Sequence, residues 1–121
     1  MVADANPDEM RKFLQSKGLK VEETRSLQRT LDGRTLSYHS VTGYREGAYK
    51  ITIRFSPEPR VLHFIVNARS NRAASDLADK LDRELGIDSD VDDEVVRGQT
   101  RRVSKDVVGR IIEFAEEASH N

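Results

Sequence analysis

Cysteine and tryptophan are absent from the 121-residue sequence, and histidine occurs only three times. Without cysteine the chain can hold no disulfide, no thiol nucleophile and no zinc site with cysteine ligands. Three histidines are little material for a histidine-based metal site, so no cofactor is expected. The sequence also lacks a Gly-x-Gly-x-x-Gly stretch, a Walker lysine loop and a serine-nucleophile elbow. These absences predict a protein that is not an enzyme.

Long apolar runs are missing too. No stretch approaches the roughly 18 residues that a membrane-spanning helix needs, so no membrane partner is expected. Residues 1–7 have neither a basic start nor an apolar centre, which predicts no secretory signal and a cytoplasmic location. The length fits one domain, which we expect to occupy residues 1–121.

Capping residues and apolar spacing predict three helices. Asn6 before Pro7 indicates a helix over 7–17, and Gly18 ends it. Leucines and alanines three and four residues apart predict a second helix from about residue 70 up to Gly86. Ser104 is the expected N-cap of a third helix, which has more apolar side chains than one face of a helix needs.

Strands are predicted over residues 22–68. Asp32-Gly33 indicates a hairpin turn, and apolar residues at every second position over 49–55 indicate a half-buried strand. The nearly continuous apolar run 61–66 is typical of a central strand. Residues 42–47 are expected to form a loop, and residues 56–59, which include two prolines, a turn.

The region between the second and third helices gives weaker patterns. Residues 87–94 are predicted as an acidic loop, followed by a short edge strand near Val95. The predicted fold class is therefore α+β, with an antiparallel meander sheet of three to five strands packed by an N-terminal helix and two C-terminal helices.

Charge is unevenly distributed along the chain, although 20 basic and 21 acidic residues give a net charge of only -1. Residues 25–72 carry nine basic and three acidic side chains, and residues 73–94 carry two basic and nine acidic ones. Two interpretations are open. The basic sheet and the acidic segment can neutralise each other as solvated surfaces, or an uncovered sheet face can meet an anionic partner.

Candidate metal ligands do not form a recognisable pattern. His39 and His63 are both expected in the sheet as ordinary strand residues. Asp88, Asp90 and Asp92 match the first three ligand positions of a calcium-binding EF-hand loop. However, the sixth and twelfth positions hold Asp93 and Gln99 instead of glycine and glutamate. We therefore expect an acidic loop without a metal.

The element order resembles the type III secretion chaperone-like fold, which is shared with the bacterial sensory-transduction-regulator family. The likeness rests on a helix at 7–17, a strand block at 22–68 and helices at 72–85 and 105–118. It covers nearly the whole chain and implies a non-enzymatic dimer that binds peptide segments of other proteins.

Two functions follow as expectations. The first is a non-enzymatic protein-interaction module, chaperone-like or adaptor-like and homodimeric, whose partner is a protein or a second copy. Its expected partner-binding residues are Val107, Ile111, Phe114 and Val95. The alternative is nucleic-acid binding by a basic sheet face, with Arg25, Arg45, Lys50, Arg54, Arg97, Arg101 and Arg102 as the anion-binding residues. Tyr49 and Phe55 alternate with Lys50 and Arg54 and should point to the core, which weighs against base stacking on this face.

Overall fold

A computed structural model describes residues 6–55, 62–100 and 104–120 of the chain. The elements are α1 (Pro7–Ser16), β1 (Lys20–Arg29), β2 (Thr35–Arg45), β3 (Tyr49–Phe55), β4 (Leu62–Asn67), α2 (Asn71–Leu85), β5 (Ser89–Asp92), β6 (Val95–Thr100) and α3 (Lys105–Ala118). The predicted α+β class is confirmed. The predicted turn at 56–59 lies outside the described residues.

The helices begin and end close to where their caps predict. The Asn6 side chain accepts a hydrogen bond of 2.8 Å from the Glu9 amide at the start of α1. Ser70 and Ser104 accept from the third amide of α2 and α3 in the same way. Gly86 ends α2 in the left-handed conformation, at φ +64°.

The strands form one antiparallel sheet of six, in the order β1-β2-β3-β4-β6-β5, so the predicted number of three to five strands is too low because β5 was expected to be a loop. The first four strands form the predicted meander, whereas β5 and β6 are a hairpin that returns after α2. β6 pairs with β4 on one side and with β5 on the other. The expectation that Val95 lies on an edge strand is therefore wrong, because β5 supplies that edge.

Two segments predicted as loops are strands. Residues 42–45 continue β2, and residues 89–92 form β5 within the segment expected to be an acidic loop. Gly43 lies in β2 beneath α1, where a side chain would meet Leu19 and Leu14 at 3.1 and 3.3 Å. Close packing of α1, and not a turn, explains the glycine at this position.

All three helices pack on the same face of the sheet. Val41, Ile53, Phe64 and Val96 lie on that face of four successive strands and are fully or almost fully buried. Phe64 covers Gly98 on the neighbouring strand, where an added Cβ would lie 2.5 Å from the ring. No helix of the described residues covers the opposite face, which we call the open face. Among those helices none is long and apolar enough to cross a membrane.

Candidate interaction surfaces

The strand β1 is a sheet edge that no described residue covers. Its ten residues pair with β2 on one side only, and nine of the ten are exposed while Val21 is half-buried. An unpaired edge presents a row of backbone donors and acceptors that can pair with another strand. Of the two edges of the sheet, this one is the longer, since β5 has four residues.

The β1–β2 hairpin extends beyond the other described strands. The described part of β3 ends at Phe55 opposite His39, so residues 26–38 pair with no described strand outside the hairpin; we call them the hairpin arm. Leu27 on the arm is 76% exposed, and Leu31 at its tip is fully exposed. Both leucines leave an apolar surface in water, which favours contact with a partner.

The tip of the hairpin arm is held by its own hydrogen bonds. The Thr30 amide donates to the Arg34 carbonyl over 2.8 Å, and the Arg34 amide donates to the Thr30 hydroxyl over 3.2 Å. Gly33 adopts φ +85°, a conformation that glycine reaches without steric cost. Asp32 accepts from the Thr30 hydroxyl and from Arg34, and these hydrogen bonds lower the pKa of its carboxyl. The arm is therefore a defined hairpin that presents its leucines in fixed positions.

The base of the arm is fastened to α1. Glu23 on β1 forms an ion pair of 2.7 Å with Arg11 of α1, and its second oxygen lies 3.3 Å from Nε2 of His39. Arg11 also bonds Asp8 at 2.7 Å, which lowers the pKa of that carboxyl. These contacts hold β1 and β2 in place where the hairpin arm leaves the body of the domain.

The open face carries a second candidate surface, formed by Tyr38, Lys50, Arg54, His63 and Arg97; we call it the open-face strip. Its members come from four adjacent strands, β2, β3, β4 and β6, and the strand register brings their side chains to the open face. The guanidinium of Arg54 lies 4.0 Å from the centre of the Tyr38 ring. Arg54 is also the cross-strand neighbour of His63, so an aromatic ring, a guanidinium and an imidazole are side by side.

The charge of the open face is segregated. In the described residues of β2, β3, β4 and β6 this face carries Lys50, Arg54 and Arg97 and no carboxylate. Glu22 on β1 lies at one edge of the same face, and Asp90 on β5, the cross-strand neighbour of Arg97, lies at the other. Neither Lys50 nor Arg97 forms an ion pair with any described residue. A depression of about 360 Å³ lies between Tyr38, Arg54, His63 and Arg97. The centre of the open face is thus positive and able to receive an anion.

The seven predicted anion-binding residues divide into three groups. Lys50, Arg54 and Arg97 lie together on the open face. Arg25 and Arg45 lie on the helix-covered face, and Arg45 is paired with Glu116 at 2.7 Å, so the expectation that they join the strip is wrong. Arg101 and Arg102 are outside the described residues.

The aromatic residues of the open face were not anticipated. Tyr49 and Phe55 point to the core as predicted, with Tyr49 buried and Phe55 half-buried. Tyr38 and Tyr44 come from β2, and Tyr44 is the cross-strand neighbour of Lys50. The alternation of side chains in β3 shows that Lys50 and Arg54 lie on the open face. Tyr38 and Tyr44 can be assigned to the same face only when the register between β2 and β3 is known.

Three of the four predicted partner-binding residues are in the core. Val107 and Phe114 are 7% and 6% exposed, and Ile111 is fully buried. The helix α3 packs against α2 and β3, and the Phe13 ring of α1 lies beside its Gly109, so the apolar residues of α3 are buried within the chain. Val95 is half-buried on β6 between two other strands. None of the four offers an exposed apolar surface.

Tyr49 joins the sheet to α3 through a polar cluster. Its hydroxyl donates to Oε1 of Glu116 over 2.8 Å, and Arg45 pairs with the same oxygen at 2.7 Å. Burial and the neighbouring carboxylate raise the pKa of Tyr49 to about 12. An open depression of about 540 Å³, lined by Tyr44, Lys50 and Arg69 among others, lies beside this cluster. The cluster thus stabilises the contact between β3 and α3.

Comparison of the chain with protein-family models, with curated proteins and with solved structures finds no match. The resemblance to the type III secretion chaperone-like fold therefore stays a prediction.

Proposed function

We propose that the chain is a non-enzymatic protein-interaction module, chaperone-like or adaptor-like, that forms a homodimer through β1 and the hairpin arm. The observation that carries this proposal is a ten-residue edge strand whose outer side pairs with no described residue, continuous with an arm that exposes Leu27 and Leu31. An edge strand recognises a partner by main-chain hydrogen bonds, and neighbouring apolar side chains add affinity.

The energetics favour contact at the arm over contact elsewhere on the described surface. Burying one exposed leucine side chain contributes roughly 1.5–3 kcal/mol. The large apolar residues exposed among those described are Leu27, Leu31 and Val91, and two of the three lie on the arm. A partner that covers the arm therefore removes most of this exposed apolar surface from water.

Light scattering coupled to size-exclusion chromatography tests the proposal. We expect the wild type to be a dimer at tens of micromolar and the double variant Leu27→Asp, Leu31→Asp to be a monomer. The matched control is Val91→Asp, which puts the same charge on an exposed apolar position of the other edge. A wild type that is monomeric, or a double variant that is still dimeric, would count against this function.

Nucleic-acid binding is a second candidate, supported by the open-face strip. An arginine beside a tyrosine, on a sheet face that also carries Lys50 and Arg97 without ion pairs to described residues, is the combination that stacks bases and neutralises phosphates. Fluorescence anisotropy with labelled single-stranded and duplex oligonucleotides at low salt tests it. We expect Lys50→Glu and Arg97→Glu to weaken binding, whereas Arg83→Glu on exposed α2 should not. Absence of binding by the wild type at low salt would remove this candidate.

A further inference from the structure

The sequence of β1 is complementary to itself when it is read in opposite directions from Thr24. Glu23 and Arg25 are the residues next to Thr24, and Val21 and Leu27 lie three positions away on either side. All four have odd numbers, so their side chains share the helix-covered side of the sheet, alongside Val41 and His39 of β2. An acid and an apolar residue on one half of the strand thus mirror a base and an apolar residue on the other half.

We infer that a second copy of this chain pairs with β1 in antiparallel register, with Thr24 of each copy opposite Thr24 of the other. The inference rests on the proposed function and adds the antiparallel register in which the two copies pair. In this arrangement Glu23 lies opposite Arg25 of the second copy, and Val21 lies opposite Leu27 of the second copy. A two-fold axis repeats each pair, so two ion pairs and two apolar pairs form on one side of the joined sheet.

Registers centred on the residues next to Thr24 place less favourable pairs of side chains opposite each other. Directly opposite residues share a face of an antiparallel sheet, so a two-fold axis normal to the sheet keeps odd positions opposite odd positions. Centring the pair on Arg25 would place Arg25 opposite its own copy and Glu23 opposite Leu27. Centring it on Glu23 would place two glutamates together and Val21 opposite Arg25. Of these three registers, the one at Thr24 alone avoids contact between like charges.

The residues concerned are available for the contact. Leu27 is 76% exposed. Arg25 is exposed on β1 and forms no ion pair with another described residue. The Glu23 side chain is 33% exposed although Arg11 and His39 already contact it, and a carboxylate can accept further hydrogen bonds. The joined sheet would keep the helices of both copies on one side. The two open-face strips would then share the opposite side.

Cysteine scanning tests the register, because the natural chain has no cysteine. We would introduce Glu22→Cys, Thr24→Cys and Ser26→Cys one at a time on β1 and follow disulfide-linked dimer under mild oxidation. We expect the yield at Thr24→Cys to exceed the other two several-fold, since of these three positions only 24 faces its own copy in the proposed pair. Ser40→Cys is the matched control, because Ser40 is the cross-strand neighbour of Thr24 on β2, one strand in from the edge.

The outcomes separate this inference from the function on which it rests. A maximum at Glu22→Cys or Ser26→Cys would overturn the register and leave the edge-strand dimer. A wild type that is dimeric by light scattering, without cross-linking at any of the three β1 positions, would overturn the register at Thr24, because pairs centred on Glu23 or Arg25 bring none of these three positions opposite its own copy. A monomeric wild type would overturn the inference and the proposed homodimer together.

Charge reversal gives an independent test. Arg25→Glu alone should raise the dimer dissociation constant by about tenfold or more, because both ion pairs become contacts between acids. Glu23→Arg should also raise the dimer dissociation constant, because both ion pairs become contacts between arginines. Circular dichroism confirms that each variant is folded. One variant carries glutamate at positions 23 and 25, and the other carries arginine at both. In a mixed dimer, glutamate therefore faces arginine at both contacts. An equimolar mixture of the two variants should restore the wild-type dissociation constant. Failure of the folded mixture to bind more tightly than either variant alone would contradict the register.

Discussion

Gly98 of β6 lies directly opposite Phe64 of β4, and the phenyl ring occupies the space where a Cβ would stand, 2.5 Å from its Cζ. This pair is one of six between β4 and β6, and both residues belong to the face that the helices cover. A side chain at position 98 would therefore have to displace the Phe64 ring.

Substitution of that glycine should destabilise the fold. We expect Gly98→Ala to lower the free energy of unfolding by about 1–3 kcal/mol, because the new methyl group must displace a buried ring. Chemical denaturation followed by circular dichroism measures the change. The control is Gly109→Ala in α3, where the nearest contact is 3.3 Å from the Phe13 ring and alanine favours the helix. Equal destabilisation by both variants would contradict this packing.

The N-cap of α2 offers a second stability test. Ser70→Ala should lower the free energy of unfolding by about 1 kcal/mol, since the Ala73 amide loses its acceptor at 3.1 Å. Ser75→Ala, an exposed site within the same helix, should be neutral or slightly stabilising. Thermal unfolding of the two variants under identical conditions distinguishes a capping effect from a general effect of losing serine.

Stability should also depend on pH through Tyr49. Its pKa in the folded chain is raised to about 12 from the ordinary value of 10.0, so the folded state favours the protonated phenol. The contribution is fully present below pH 10.0 and is lost as the pH rises through about 12. Tyr49→Phe should remove this part of the pH dependence, as measured by denaturation at several alkaline pH values.

Nucleic-acid binding, if present, should depend strongly on salt. Removing one phosphate-binding cation should reduce the slope of log affinity against log salt by about 0.7 to 0.9. Lys50→Gln and Arg97→Gln should each flatten the slope, and Tyr38→Ala should lower affinity with little change in slope because stacking releases no counterion. A Tyr38→Ala variant that binds like the wild type would show that this ring does not stack on bases.

The sequence predicted most reliably what depends on neighbouring residues. Asn6, Ser70, Ser104 and Gly86 act at helix ends within a few residues of themselves, and Asp32-Gly33 acts within one turn. Each of these was confirmed because the backbone hydrogen bonds it supplies are local.

What could not be predicted depends on partners that are distant in the sequence. Gly43 indicates a loop when read alone, but in the fold it makes room for Leu14 and Leu19. Val95 was expected at an edge because only the pairing of β6 with both β4 and β5 shows that it is internal. The apolar surplus of α3 likewise required knowledge of α1 and α2 before its burial could be recognised.

Hydrogen–deuterium exchange at increasing protein concentration tests the central claim, that β1 is the edge at which copies meet. We predict that amides within Lys20–Arg29 gain protection as concentration rises, whereas amides of the other edge, Ser89–Asp92, exchange at a constant rate. Unchanged exchange in β1, or protection that appears at β5 instead, would contradict pairing through β1.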